Sequence, residues 1–230
     1  MSYSFGKSIV TDGLVFYVDA ANDNSYPGTG TTWSDLVGEN DGTLTNGPTF
    51  DSGNGGSIVF DGVDDYIEAG PIQPLQFTLS CWFKATGAPS NNDAAGGSLI
   101  ASDPQLVGGL PFLFSHSYLD QTLSFYVETT VSPLRTASNS VVNNQIHLAT
   151  ATYNGTTGSI YINGQFANSK SFNSPTYNTS GNINLQIGRW GYSGYERFIN
   201  GNIYNASIYN RALSSTEILQ NYNALKNRFI

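Results

Sequence analysis

Asp61, Asp64 and Asp65 crowd three carboxylates into one short stretch, Asp61-Gly62-Val63-Asp64-Asp65. Charges this close repel unless water, loop amides or a hard cation such as calcium offsets them. Without a metal, Asp61 and Asp64 are expected to accept hydrogen bonds from turn amides, as Asp commonly does. A second group is Arg189-Trp190-Gly191-Tyr192-Ser193-Gly194-Tyr195-Glu196-Arg197. Carbohydrate sites pair flat rings that stack on a sugar with a few side chains that hydrogen-bond its hydroxyls. Trp190, Tyr192, Tyr195 and Arg197 supply both kinds of group. The same residues also suit a protein contact, or simple packing of the rings onto the edge of the domain.

Catalytic constellations are weak by comparison. Retaining glycoside hydrolysis needs two carboxyl groups roughly 5–5.5 Å apart. Glu39-Asn40-Asp41 is the nearest approach to a paired-acid pattern, but Leu44 stands where a third acid would complete it. Glu68, Glu128, Glu196 and Glu217 are scattered, with no acid two positions away. The two histidines, His116 and His147, accompany no Gly-x-Ser-x-Gly elbow. His147 alternates with Ala149 and Ala151, the pattern of a hydrogen-bonded sheet residue. No glycine-rich phosphate loop opens a helix. The expectation is a protein that is not an enzyme.

Composition narrows the partners. Charged residues make up only 11% of the 230 residues, and 17 acids against 9 Lys and Arg leave a formal charge of -8. No basic stripe is available to meet a phosphate backbone, so nucleic acid is disfavoured. No apolar run approaches the roughly 20 residues that span a bilayer. The N-terminal stretch lacks the charged start and apolar core of a secretory signal. Cys81 is the sole cysteine, which excludes an intrachain disulfide, and its apolar neighbours suggest a core thiol. A polar, weakly charged surface without an export signal suits a particle assembled in a host cytoplasm that works outside it.

The elements that must position these groups are β-strands. Leu14–Val18, Ser57–Phe60, Tyr66–Glu68, Phe77–Lys84, Phe112–Phe114, Thr122–Thr129, His147–Tyr153, Ser159–Ile162, Ile183–Ile187 and Asn202–Tyr209 are short β-type runs between turn signals. Asn163-Gly164 predicts a type I′ hairpin with a return strand through Phe166. With no helical pattern between strands, antiparallel sheets packed face to face are expected. One helix closes the chain: Ser214-Ser215-Thr216-Glu217 is a capping box, and Ile218, Tyr222, Leu225 and Phe229 share a face. Tyr26–Ser57 reads as surface loops anchored by Trp33 and Leu36. No repeat or linker is evident, so residues 1–230 are expected to be one domain.

Three segments carry a family resemblance. Ser57-Ile58-Val59-Phe60-Asp61-Gly62-Val63-Asp64-Asp65-Tyr66-Ile67 resembles a signature of laminin-G-like, concanavalin-A-like domains. Gly201–Ser214 resembles that family's closing strand, and Gly13–Ala20 its first. The resemblance implies an all-β two-sheet antiparallel jelly roll whose terminal strands pair, often with a structural calcium ion. In related domains the ion lies where the first strand meets the last, which here brings Asp19 to Asn205. Asn205 replaces an acid present in many relatives. The Tyr26–Leu36 insert is similar to laminin-G-like proteins of bacteriophage virions, cyanophages included. That likeness implies a non-enzymatic virion component, a capsid decoration, fibre or tail part. It would bind other virion proteins, form a homo-oligomer, and contact host-surface glycans. The alternative is a free-standing carbohydrate-binding lectin module, extracellular instead of virion-borne.

Overall fold

A computed structural model describes residues 8–72, 74–89, 96–102, 112–127, 132–172, 184–192 and 195–229, without the side chains of Tyr192 and Tyr195. In chain order the strands are β1 (Leu14–Asp19), β2 (Thr32–Trp33), β3 (Gly42–Thr45), β4 (Thr49–Asp51), β5 (Ser57–Asp61) and β6 (Tyr66–Pro71). They continue as β7 (Phe77–Gly87), β8 (Gly97–Ser102), β9 (Phe112–Ser117), β10 (Thr122–Val127), β11 (Leu134–Arg135) and β12 (His147–Tyr153). The last are β13 (Thr157–Ile162), β14 (Gln165–Ser171), β15 (Asn184–Ile187), β16 (Arg189–Tyr192), β17 (Tyr195–Phe198) and β18 (Asn200–Tyr209). Helix α1 (Ser215–Leu225) comes next, extended by a 3-10 turn at Lys226–Arg228.

These strands form two large antiparallel sheets. Sheet A runs β14-β13-β12-β7-β18-β5-β4, with β1 also paired to β18; sheet B runs β11-β10-β9-β8-β15-β6-β3-β2. The hairpin β16–β17 is a separate ribbon. Alternation along β7 explains the layering: Phe77, Leu79, Cys81 and Phe83 enter the core between the sheets, while Trp82 faces outward. Facing them from sheet B are Ile100, Phe112, Phe114, Leu123, Phe125 and Ile187. The expected sandwich is therefore present, with strands near the expected positions.

The Asn163-Gly164 turn has φ of 52° and 80° at its two residues, the signs of a type I′ turn, and β14 returns beyond it. Ser214 accepts from the Glu217 amide while the Glu217 carboxylate accepts from the Ser214 amide, completing the capping box. Residues 26–57 depart from expectation. Loops make up most of the stretch, but it also builds the short strands β2, β3 and β4, which extend one sheet or the other at its edge. Trp33 is fully buried, whereas Leu36 is only half-buried. These strands are too short and too polar to show a period-2 pattern; partner strands define them.

The long strand β18 organises sheet A. Its one edge pairs with β7 over nearly its whole length. Its other edge is shared end to end: β5 takes Asn200–Ile203 and β1 takes Asn205–Tyr209. A bulge between Ile203 and Asn205 turns both Tyr204 and Asn205 to the outer face. Helix α1 lies on that face. Trp82, Leu148 and Tyr204 are covered there by Tyr222, Leu225 and Phe229, and the Trp82 ring stacks on Tyr222 with centroids 5.6 Å apart.

Candidate functional site

Among the described residues the outer face of sheet B carries no helix, and the β16–β17 hairpin folds over it. Gly188 starts the hairpin at φ +84°, and a Cβ there would sit 2.5 Å from the Phe60 ring, so only glycine fits. Pairing sets Arg189 opposite Phe198, Trp190 opposite Arg197, Gly191 opposite Glu196 and Tyr192 opposite Tyr195. The ribbon packs on β8. Beneath it an outward row crosses the sheet in register: Tyr126, Leu113, Ala101, Gln186, Glu68 and Thr43.

Two arginines tie the hairpin down. The Arg197 guanidinium lies 4.9 Å from the Trp190 ring centroid and 5.8 Å from that of Tyr126. That puts one cation within cation–π distance of two aromatic rings, one from the hairpin and one from the sheet. Arg189 pairs with Glu196 and lies 4.6 Å over Tyr66. Gly191 makes room for this, because a Cβ there would approach an Arg189 guanidinium nitrogen to 2.4 Å. Trp190, Arg197 and Tyr126 each stay partly exposed. The backbones of Tyr192 and Tyr195 form the last pair of the ribbon; their side chains lie outside the described residues. Tyr126 was not singled out from sequence. Its place in the alternating run Thr122–Val127 marks it as outward, but the run does not say what meets it.

The acidic trio sits in the β5–β6 turn, with one ligand oxygen from each residue within 4.8 Å of the others. Asp61 and Asp64 are exposed and Asp65 is buried. Turn amides engage two of them. Asp65 Oδ2 accepts from the Asp61 amide at 3.0 Å, and Asp61 Oδ1 accepts from Val63 at 2.8 Å and Asp64 at 3.4 Å. Burial, and then the neighbouring carboxylates, raise the Asp65 pKa above its ordinary value. Three hard oxygen donors of this kind could hold a metal ion.

Asp19 and Asn205 are brought opposite each other by the pairing of first and last strands, as the resemblance implies. Their surroundings do not fit calcium. Asp19 Oδ1 takes a 2.6 Å ion pair from Arg228 and a bond from the Ala21 amide, and Oδ2 accepts from the Tyr17 hydroxyl. Burial, reinforced by the adjacent Asp19 carboxylate, raises the Tyr17 pKa well above the ordinary tyrosine value. Asn205 offers an amide in place of a charge, and its buried Nδ2 has no protein partner. It lines a cavity of about 10 Å³ between sheet A and α1, room for one water. Arg228 was not foreseen. It lies 209 residues from its partner, and nothing local to it marks the contact.

The other reactive groups singled out from sequence are buried or hydrogen-bonded within the fold. Burial raises the Cys81 thiol pKa, which keeps it protonated. His147 Nε2 lies 3.1 Å from the Val142 carbonyl and Nδ1 lies 3.3 Å from Asn163 Nδ2. Burial lowers the His116 pKa to about 4. Asp41, from the nearest paired-acid pattern, accepts the Asp35 amide in a loop between β2 and β3. No helix among the described residues is long and apolar enough to cross a membrane.

Residues 60–219 match the family model described as the concanavalin A-like lectin/glucanases superfamily. The chain belongs to this family. The jelly roll, the paired terminal strands and the β5–β6 signature turn are thus those of a concanavalin A-like, laminin G-like domain. Similar solved structures include Trypanosoma rangeli sialidase in complex with sialic acid, with a TM-score of 0.70 and 18% identity over 99% of this chain and 35% of that one. Domain 4 of an extracellular arabinanase from Geobacillus stearothermophilus, in complex with arabinotriose, has a TM-score of 0.63 and 16% identity. It covers 92% of this chain and 98% of that one. The botulinum neurotoxin serotype D binding domain has a TM-score of 0.66 and 14% identity, over 92% of this chain and 50% of that one. The chain spans about a third of the length of the sialidases. No curated protein matches it in sequence.

Proposed function

We propose that this chain is a non-enzymatic carbohydrate-binding module that takes its ligand on the outer face of sheet B, at the β16–β17 hairpin. The observation that carries this reading is the Arg197 guanidinium within cation–π distance of both Trp190 and Tyr126, all three partly exposed. A sugar ring stacks on such aromatic faces, and a guanidinium kept in place by them donates to hydroxyls with little ordering cost. The net charge of -8 favours neutral glycans over polyanionic ones. The likeness to an arabinanase domain solved with arabinotriose, nearly the full length of both chains, supports the same class of ligand. The virion role expected from the sequence draws no such support, and the free-standing module is the reading we adopt.

A non-enzymatic role is supported by the state of the acids. Asp61 and Asp65 spend oxygens on turn amides, and Asp19 is neutralised by Arg228. The test is a glycan array probed with the purified chain, in calcium and in chelator. Selective binding to neutral glycans, lost on Trp190→Ala, is expected. A blank array under both conditions overturns the reading.

A further inference from the structure

The β16–β17 hairpin leans on sheet B to both sides. Arg197 reaches Tyr126 on β10, and Arg189 lies over the Tyr66 ring on β6. Between these two tyrosines the outward row is sealed. Leu113, Ala101 and Gln186 are all buried, and the Gly191 amide donates to Gln186 Oε1 at 3.4 Å. Beyond Gln186 the row returns to the surface. Ile67, Ala69 and Leu44 turn into the core, so Glu68 and Thr43 point outward, and β2 adds Thr32 opposite Thr43. Glu68 and Asn184 are partly exposed, while Thr43 and Thr32 are exposed.

This strip sets a carboxylate, an amide and hydroxyls side by side. Asn184 Nδ2 donates to Glu68 Oε1 at 3.0 Å, which orients the carboxylate beside Thr43. That contact uses one oxygen of Glu68 and one amide proton of Asn184. It leaves the second carboxylate oxygen, the second amide proton and the amide carbonyl for other bonds. Sugar hydroxyls both donate and accept, and a carboxylate acceptor gives the stronger, charge-assisted bond. A pair already oriented by its own hydrogen bond loses little freedom on binding. The two sides of the hairpin thus differ in kind: rings and a cation towards β10, hydrogen-bonding groups towards β3. Tyr126 and Glu68 stand four strand steps apart, roughly 19 Å at about 4.8 Å per step. One sugar ring cannot touch both, whereas an oligosaccharide can.

We propose that the Glu68–Asn184–Thr43 strip is a second subsite of the glycan face, and that the ligand is a neutral oligosaccharide crossing the hairpin from Trp190 to Glu68. This rests on the glycan reading above and adds to it the length of the ligand.

The experiment titrates the full chain against an array of neutral glycans graded from monosaccharides to hexasaccharides. The intact chain should hold its best hexasaccharide more tightly than the corresponding monosaccharide. Glu68→Gln keeps an oxygen for Asn184 but removes the charge, and should weaken hexasaccharide binding roughly 3–10-fold. Thr43→Lys, at an exposed position opposite Glu68, should do the same by pairing with the carboxylate. Circular dichroism shows whether each variant is folded, and Thr43→Lys decides the matter if Glu68→Gln is not. A loss in either folded variant supports the strip. Hexasaccharide binding that is lost in Trp190→Ala but unchanged in every folded strip variant overturns the subsite and leaves the glycan reading standing. A monosaccharide bound as tightly as the hexasaccharide does likewise. A blank array overturns both.

Discussion

The two outer faces of the sandwich are finished differently. On sheet A the chain covers itself. Trp82, Leu148 and Tyr204 lie under α1, and Arg228 fastens the end of the chain to Asp19 and to the turn before β5. On sheet B the cover is a four-residue-per-strand hairpin held by arginines over aromatic rings, with Trp190, Arg197 and Tyr126 still reaching solvent. Apolar burial seals the first face, because a large buried ring loses more free energy on exposure than a half-exposed one. Cation–π contacts shape the second, and at partly exposed sites these contribute only about 1 kcal/mol each. A face closed by large buried rings serves stability. A face closed by weak, directional contacts can exchange them for a ligand.

The contrast is tested most severely at Trp82. Trp82→Ala should cost ~3–5 kcal/mol, read as a lower urea midpoint, since it leaves a cavity under Tyr222 and Phe229. A loss below ~1 kcal/mol would mean that α1 contributes little to closing sheet A.

Acid titration separates the buried histidines from the cap of α1 by pH. His116, in β9 of sheet B against Phe83, has a folded pKa of about 4 because it is buried, below the ordinary 6.5. The unfolded chain takes up a proton as pH falls below 6.5 while the folded chain does not, so stability is lost between pH 6.5 and about 4. Up to ~3 kcal/mol is at stake, and His147, also lowered by burial, adds in the same direction. Glu217, on α1, is held to about 2, chiefly by Arg211 and then by the Ser214 amide. Its contribution is present above pH 4.5 and is lost only as pH falls from there towards 2. Urea midpoints measured against pH should therefore fall first in the histidine window. His116→Leu should flatten that window and leave the lower one unchanged.

Smaller effects probe the same division. Ser214→Ala removes the cap of α1 and should cost ~1 kcal/mol by chemical denaturation. Trp190→Ala should cost less stability than Trp82→Ala, since the Trp190 ring is partly exposed where Trp82 is buried. The same change should remove glycan retention on an affinity column. A Trp190→Ala chain that unfolds readily would place this hairpin among the stabilising elements and remove the distinction between the faces.

Much of the framework was legible from residue order. Phe77-Thr78-Leu79-Ser80-Cys81-Trp82-Phe83 and His147–Tyr153 alternate cleanly, and both are strands at the expected places. The capping box and the Asn163-Gly164 turn are local hydrogen-bond and dihedral codes, so a few adjacent residues suffice to read them. Thr32–Trp33, Gly42–Thr45 and Thr49–Asp51 were not readable, because their neighbours in the sheet define them, not their own pattern. In the candidate site, Trp190 and Arg197 were visible as an aromatic and basic cluster. Their third member, Tyr126, was not, since β10 meets the hairpin only after the sheet has formed.

Residue order alone is enough to make this chain an antiparallel β-sandwich with a capped terminal helix. Those features arise from the period of apolar residues and from short-range turn and cap chemistry. The meeting of Asp19 and Asn205 was likewise implied by the family pattern of the first and last strands. What neutralises Asp19 emerges only once the chain is folded. A carboxylate, two peptide carbonyls and a guanidinium from opposite ends of the chain converge there, and such an arrangement has no signature along the chain because each contact is short in space and long in sequence.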